Sequence, residues 1–158
     1  MSMVGSQTGR CARDDLHVMT YEGGCLCGRV RYQASGEATN LCFCHCTSCR
    51  RAIGAPMVPW GTFAAARFAI VQGRLAEYGS SPGVTRGFCA DCGTSLTYRR
   101  HDRSGEIDVT LSSLDDPAAL VPEVHIWVED KPPWVVIGDG RAQFAKSLVS
   151  ESHPGPSA

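Results

Sequence analysis

Hydrophobic and polar positions along this chain alternate in short bursts. In Val30-Arg31-Tyr32 and in Ile107-Asp108-Val109-Thr110-Leu111 the period is two, the pattern of a strand with one buried face. Similar bursts, bounded by turn residues, predict strands over 18–22, 28–33, 41–44, 57–62, 68–71, 76–78, 85–88, 95–99, 106–111 and 123–128. Helix signals are scarce. One turn of helix is expected over 48–53 and another over 117–120, the latter with Asp115 or Asp116 as N-cap and Pro117 in the first helical position. The prediction is a mostly β domain of antiparallel sheets with little helix.

Composition refines this picture. Seventeen glycines and nine prolines make up about one residue in six, so tight turns separate many short segments. A chain of 158 residues is most simply one domain, and a domain of that size buries enough surface to have a core without help from metal. The polar, aperiodic stretch 1–18 is expected to be a disordered leader and 149–158 a disordered tail, leaving 19–148 as the domain. Formal net charge is −1, which offers no footprint for nucleic acid or an anionic membrane. No run of 18 apolar residues is present to span a bilayer, and no apolar export segment is visible near the start. Cysteines without an export signal point to a reducing compartment, so the expected location is cytoplasmic and the thiols are read as metal ligands before disulfides.

The nine cysteines carry the chemistry. Apart from Cys11, expected to have no role, and Cys42, they form three groups: Cys25 and Cys27, then Cys44, Cys46 and Cys49, then Cys89 and Cys92. Seven thiols suit one closed tetrahedral zinc site of four ligands and one open site of three. Two pairs on separate loops can close on one ion, as in zinc knuckles, so Cys25, Cys27, Cys89 and Cys92 are assigned to a structural zinc. A C-x-C-x-x-C run can deliver three thiolates from one tight turn, so Cys44, Cys46 and Cys49 are assigned to a catalytic zinc. A fourth protein ligand could shut the second site. Cys42 shares a strand face with Cys44 and Cys46 and is the candidate, although a small buried apolar role suits it better. His45 projects to the other face and is expected at the surface or behind the ligands.

These residues resemble a known family. Gly23-Gly24-Cys25-Leu26-Cys27-Gly28, Cys44-His45-Cys46-Thr47-Ser48-Cys49-Arg50-Arg51 with Gly54-Ala55-Pro56, and Arg86-Gly87-Phe88-Cys89-Ala90-Asp91-Cys92-Gly93 occur in order, followed by Ser113-Leu114-Asp115-Asp116-Pro117, His125-Ile126-Trp127 and Pro133-Trp134. Together they resemble the glutathione-dependent formaldehyde-activating enzyme family, also called the CENP-V/GFA domain family. The resemblance implies a β-tent fold, two zinc ions partitioned as above, and carbon–sulfur lyase chemistry: addition of a thiol such as glutathione to an aldehyde such as formaldehyde. Cys42 has no place in that pattern.

Three thiolates on a divalent ion leave a formal charge of −1, a poor Lewis acid for hydrolysis but a good home for a soft sulfur ligand. Arg50 or Arg51 could pair with a substrate carboxylate, or make only a surface salt bridge. His125 could move the proton, or be structural, and Trp60, Trp127 and Trp134 are read as core or rim. The alternative is a zinc-stabilised interaction module without chemistry. A deaminase is excluded because no H-x-E precedes a P-C-x-x-C pair.

Overall fold

The computed structural model describes residues 18–148. The expected leader up to residue 17, with Cys11, and the expected tail from 149 lie outside the described residues.

Among the described residues eleven strands form two sheets: β1 (Thr20–Gly24), β2 (Arg31–Ser35), β3 (Thr39–Cys44), β4 (Val58–Ala64), β5 (Phe68–Gln72), β6 (Ala76–Ser81), β7 (Val84–Phe88), β8 (Ser95–Arg100), β9 (Glu106–Thr110), β10 (Val124–Ile126) and β11 (Ala142–Gln143). A three-stranded sheet runs β1-β2-β5, and an eight-stranded sheet runs β11-β10-β3-β4-β9-β8-β7-β6. All ten expected strands are present. An α-helix, α1 (Thr47–Ile53), follows β3.

β4, in the middle of the larger sheet, has four consecutive buried residues, Trp60 to Phe63, because both of its faces are covered. Its Pro59 precedes the start of the β4–β9 register at Trp60↔Thr110, so the missing N–H costs no bond to that neighbour. One apolar cluster, including Tyr32, Ala34, Phe63, Leu96, Ile107 and Val109, packs the small sheet against the large one. A second, smaller cluster joins Cys42, Cys44 and Cys49 to Val58 and Trp60.

Two expectations need correction, and one strand, β11, was not expected. The large sheet is mixed: β10 pairs parallel with β3, and β11 pairs parallel with β10. Alternation identifies a strand but carries no information about the direction of its neighbour. β11 is two residues long and too short to show a period. Residues 117–120 are a turn, not a helix. Asp116 does accept the Ala118 N–H at 2.9 Å, but as an Asx-type turn, and Asp115 is taken by the Arg31 guanidinium.

In β3 the register slips between Thr39↔Thr62 and Cys42↔Trp60, and Asn40 takes a left-handed φ of 49°. Asparagine tolerates that region better than most residues. Beyond the bulge Cys42 and Cys44 both face the interior.

Gly23 sits where β1 passes closely over its neighbour Tyr32 on β2 and the Ser113 turn after β9. A Cβ there would stand 2.3 Å from Tyr32 Oη and 2.5 Å from the Ser113 carbonyl oxygen, while Tyr32 itself is held by a 2.8 Å bond to Ser113 Oγ. Gly23→Ala is therefore expected to destabilise the domain by about 1–3 kcal/mol, the cost of overpacking a core. Gly79→Ala, whose added methyl meets nothing within 4 Å, should stay within about 0.5 kcal/mol. Denaturant midpoints at unchanged slope would measure both.

Candidate metal centres

Cys25 to Val30 and Cys89 to Thr94 fold into two matching knuckles. In each, a backbone bond closes the loop (Cys25 N–H to Val30 O, Cys89 N–H to Thr94 O, both 3.0 Å), and a glycine with φ near +75° makes the return, Gly28 in one and Gly93 in the other. The Leu26 N–H donates to Thr94 Oγ1 across the gap at 3.1 Å, and Arg29 meets Asp91 at 2.6 Å. The four sulfurs of Cys25, Cys27, Cys89 and Cys92 all lie within 4.8 Å of one another. Thiolates bound tetrahedrally at about 2.3 Å from zinc would stand roughly 3.8 Å apart. Cys25 and Cys27 are 3.5 Å apart, and Cys27 and Cys89 3.8 Å. The Thr94 hydroxyl, 3.2 Å from the Cys92 sulfur, holds that thiol down to about 5, and the Val30 N–H points at the Cys25 sulfur from 3.2 Å. The donor set fits a metal.

Cys44, Cys46 and Cys49 bring a second group of sulfurs within 4.8 Å. Cys44 ends β3 and Cys46 is the N-cap of α1, where its sulfur accepts the Cys49 N–H at 3.3 Å. Gly54, left-handed at φ 71°, closes the other end of the helix. The Cys46 and Cys49 sulfurs push the Cys44 thiol far up, whereas Cys44 and Cys46, with Arg86 behind them, pull Cys49 down to about 2. Crowded this closely, the three thiols ionise together readily only beside a cation. This donor set also fits a metal, and its softness is compatible with zinc.

Cys42 is not among the converging sulfurs. It is buried beside Val58 and Trp60, and burial raises its thiol to about 12. All eight cysteines of the described residues are free thiols.

Two features escaped the sequence analysis. His45 is wholly buried behind the ligand turn, one of the two places expected of it, and its partners are what the residues alone do not show. Its Nε2 lies 2.9 Å from Nδ1 of His125, whose Nε2 lies 3.0 Å from Asp139 Oδ2. The carboxylate accepts only, so a neutral His125 carries its proton on Nε2 and takes the His45 Nε2–H on Nδ1. The bond from His125, reinforced by the Arg141 backbone, holds Asp139 down to about 2. Asp130, just past the left-handed Trp127, accepts the Thr47 N–H that begins α1. The segment after β10 is thus bolted to the back of the thiol turn. The second feature is Arg86 on β7, 7% exposed, whose Nη2 lies 3.7 Å from the Cys49 sulfur. Nothing about an arginine within a strand announces burial.

Arg50 is drawn back onto the turn, donating from Nε to the His45 carbonyl at 3.1 Å and from Nη2 to Thr47 Oγ1 at 3.3 Å. With exposed Arg51 it lines a cleft of about 340 Å³ whose other walls are Gly54, Ala55, Pro56, Pro132 and Trp134. Trp60 is core, Trp127 partly buried against it, and Trp134 an exposed rim residue.

A family model described as glutathione-dependent formaldehyde-activating enzyme matches residues 20–130. A Halomonas elongata protein provisionally named as such an enzyme is 30% identical over 131 residues, covering 75% of this chain and 82% of its own. An uncharacterized lyase of Schizosaccharomyces pombe is 24% identical over 132 residues, covering 84% and 96%. A crystal structure of a Rhodobacter sphaeroides protein, 20% identical, superposes with a TM-score of 0.53 over 78% of this chain and 98% of that one, a likeness of fold alone. Both thiol groups begin and end inside the matched residues. The chain belongs to the glutathione-dependent formaldehyde-activating enzyme family.

Proposed function

We propose that the protein is a zinc-dependent carbon–sulfur lyase that adds a thiol of the glutathione kind to a small aldehyde such as formaldehyde, and reverses the addition. The observation that carries this reading is the convergence of three sulfurs, and not four, at the turn into α1, with Cys42 left outside. The family match and the names of the two relatives support the same class of chemistry.

Cys25, Cys27, Cys89 and Cys92 would hold a structural ion, and Cys44, Cys46 and Cys49 a catalytic one. The second ion would supply a soft site at which a substrate sulfur rests as thiolate. The protein's own groups do the remainder. The His45–His125–Asp139 chain fixes the backbone of the thiol turn, and the N-cap bond from Cys49 to Cys46 fixes the spacing of two sulfurs. Half-buried Cys46 is the thiol nearest solvent and marks the side from which substrate enters. The substrate sulfur attacks the aldehyde carbon, the new C–S bond forms as the C=O pair moves onto oxygen, and water protonates that oxygen to give the S-hydroxyalkyl product. Holding both reactants at this wall acts chiefly through proximity. Arg51 offers a free guanidinium for a substrate carboxylate; Arg50, already bonded to the turn, could add only its remaining donors.

Metal analysis of the full chain is expected to return two zinc ions. Cys46→Ala should return one with little loss of stability, whereas Cys27→Ala should destabilise the whole domain, since structural zinc supplies on the order of 10 kcal/mol in model peptides. Adduct formation from glutathione and formaldehyde, followed by NMR, should exceed the uncatalysed rate and fall at least a hundredfold in Cys49→Ala. Rates equal to that control across a panel of thiols and aldehydes would leave the zinc-stabilised interaction module.

A further inference from the structure

Arg86 has no carboxylate within ion-pair distance among the described residues. Its Nε donates to Ser80 Oγ at 3.2 Å, its guanidinium carbon lies 4.9 Å from the centre of the Tyr98 ring, and its Nη1 is buried with no acceptor. The nearby carboxylate on β9, Asp108, is occupied by Thr62 Oγ1 at 2.6 Å and Arg103 at 3.2 Å. A guanidinium removed from water is costly unless its charge is met. Here the group that meets it is the Cys49 sulfur, so the thiol cluster is the counter-ion of Arg86.

Charge counting then bears on selectivity. Three thiolates and a divalent ion sum to −1, and Arg86 brings the buried assembly to zero. A neutral fourth ligand leaves that sum alone. An anionic one would raise the cluster to −2 without Arg86 but leaves the assembly at −1 with it. We propose that Arg86 shifts the preference of the three-thiol site towards an anionic fourth ligand, a thiolate, by offsetting one negative charge that such a ligand would otherwise add to, and thereby admits the thiol substrate. The unpaired Nη1 gives it a donor not yet committed to the protein. This inference rests on the three-thiol site holding a metal and accepting a thiol.

The test uses the full chain loaded with cobalt(II), whose visible and near-ultraviolet bands report coordination without turnover. Titrations with 2-mercaptoethanol and with imidazole would be compared for the wild type and Arg86→Met. The thiol is expected to bind at least tenfold more weakly in Arg86→Met while imidazole stays within threefold, and Arg86→Lys should recover most of the thiol affinity. The unchanged spectrum of the four-thiol site shows that a variant is folded, and Arg86→Gln replaces the methionine variant if that signal is lost. Equal weakening for both ligands, or unchanged thiol affinity in a folded neutral variant, overturns the role of Arg86 alone. A wild type that takes up no thiol overturns the catalytic reading together with it.

Discussion

Crowded sulfur is the constraint on which this structure turns. Four thiols from loops more than sixty residues apart, and three more from a single turn, stand within 4.8 Å of their neighbours. Ionised together without a cation they would repel strongly, and left protonated they would make weak, poorly directed contacts. The backbone around them is shaped for the ionised form. Paired knuckles with left-handed glycines, an N–H aimed at Cys25 and a hydroxyl aimed at Cys92 all favour thiolate. At the second cluster a helix N-cap bond and a buried guanidinium do the same for Cys46 and Cys49.

The two clusters differ in what surrounds them. The four-thiol group sits beside the main core, where Cys25 and Cys89 pack with Val30 and Leu96, and it joins the small sheet to β7 and β8. The three-thiol group has a cluster of its own, walled by Val58 and Trp60, and is backed by histidines as well as by aliphatic packing. Burial by hydrogen-bonded polar groups costs more to assemble than apolar packing, but it fixes orientation. That division suits a site that staples and a site that reacts.

Much of this was legible in the residues. Period-two alternation located the strands, and cysteine spacing separated four thiols from three, because ligand spacing within a turn is a local property. What escaped was relational. Alternation turns His45 away from the thiols but leaves open the surface or a place behind the ligands, and β10, arriving in parallel from eighty residues later, decides this by covering it with His125. Arg86 reads as one polar residue of a strand, and its burial depends on α1 delivering Cys49 against it. The turn at 117–120 failed for a related reason: Asp115 serves Arg31, a partner far away in sequence, and is not free to begin a helix.

The parallel pairing of β10 with β3 also sets an order of assembly. The knuckles and α1 lie within the first 94 residues, so the four-thiol group is complete once β8 begins. His125, Asp130 and Asp139, which brace the three-thiol turn, are synthesised after it and must return to the sheet to reach it. Long-range parallel contacts of this kind form slowly. A nascent chain would therefore bring its four-thiol group together before its three-thiol turn was held rigid, and that turn would stiffen only once β10 and the segment after it had docked.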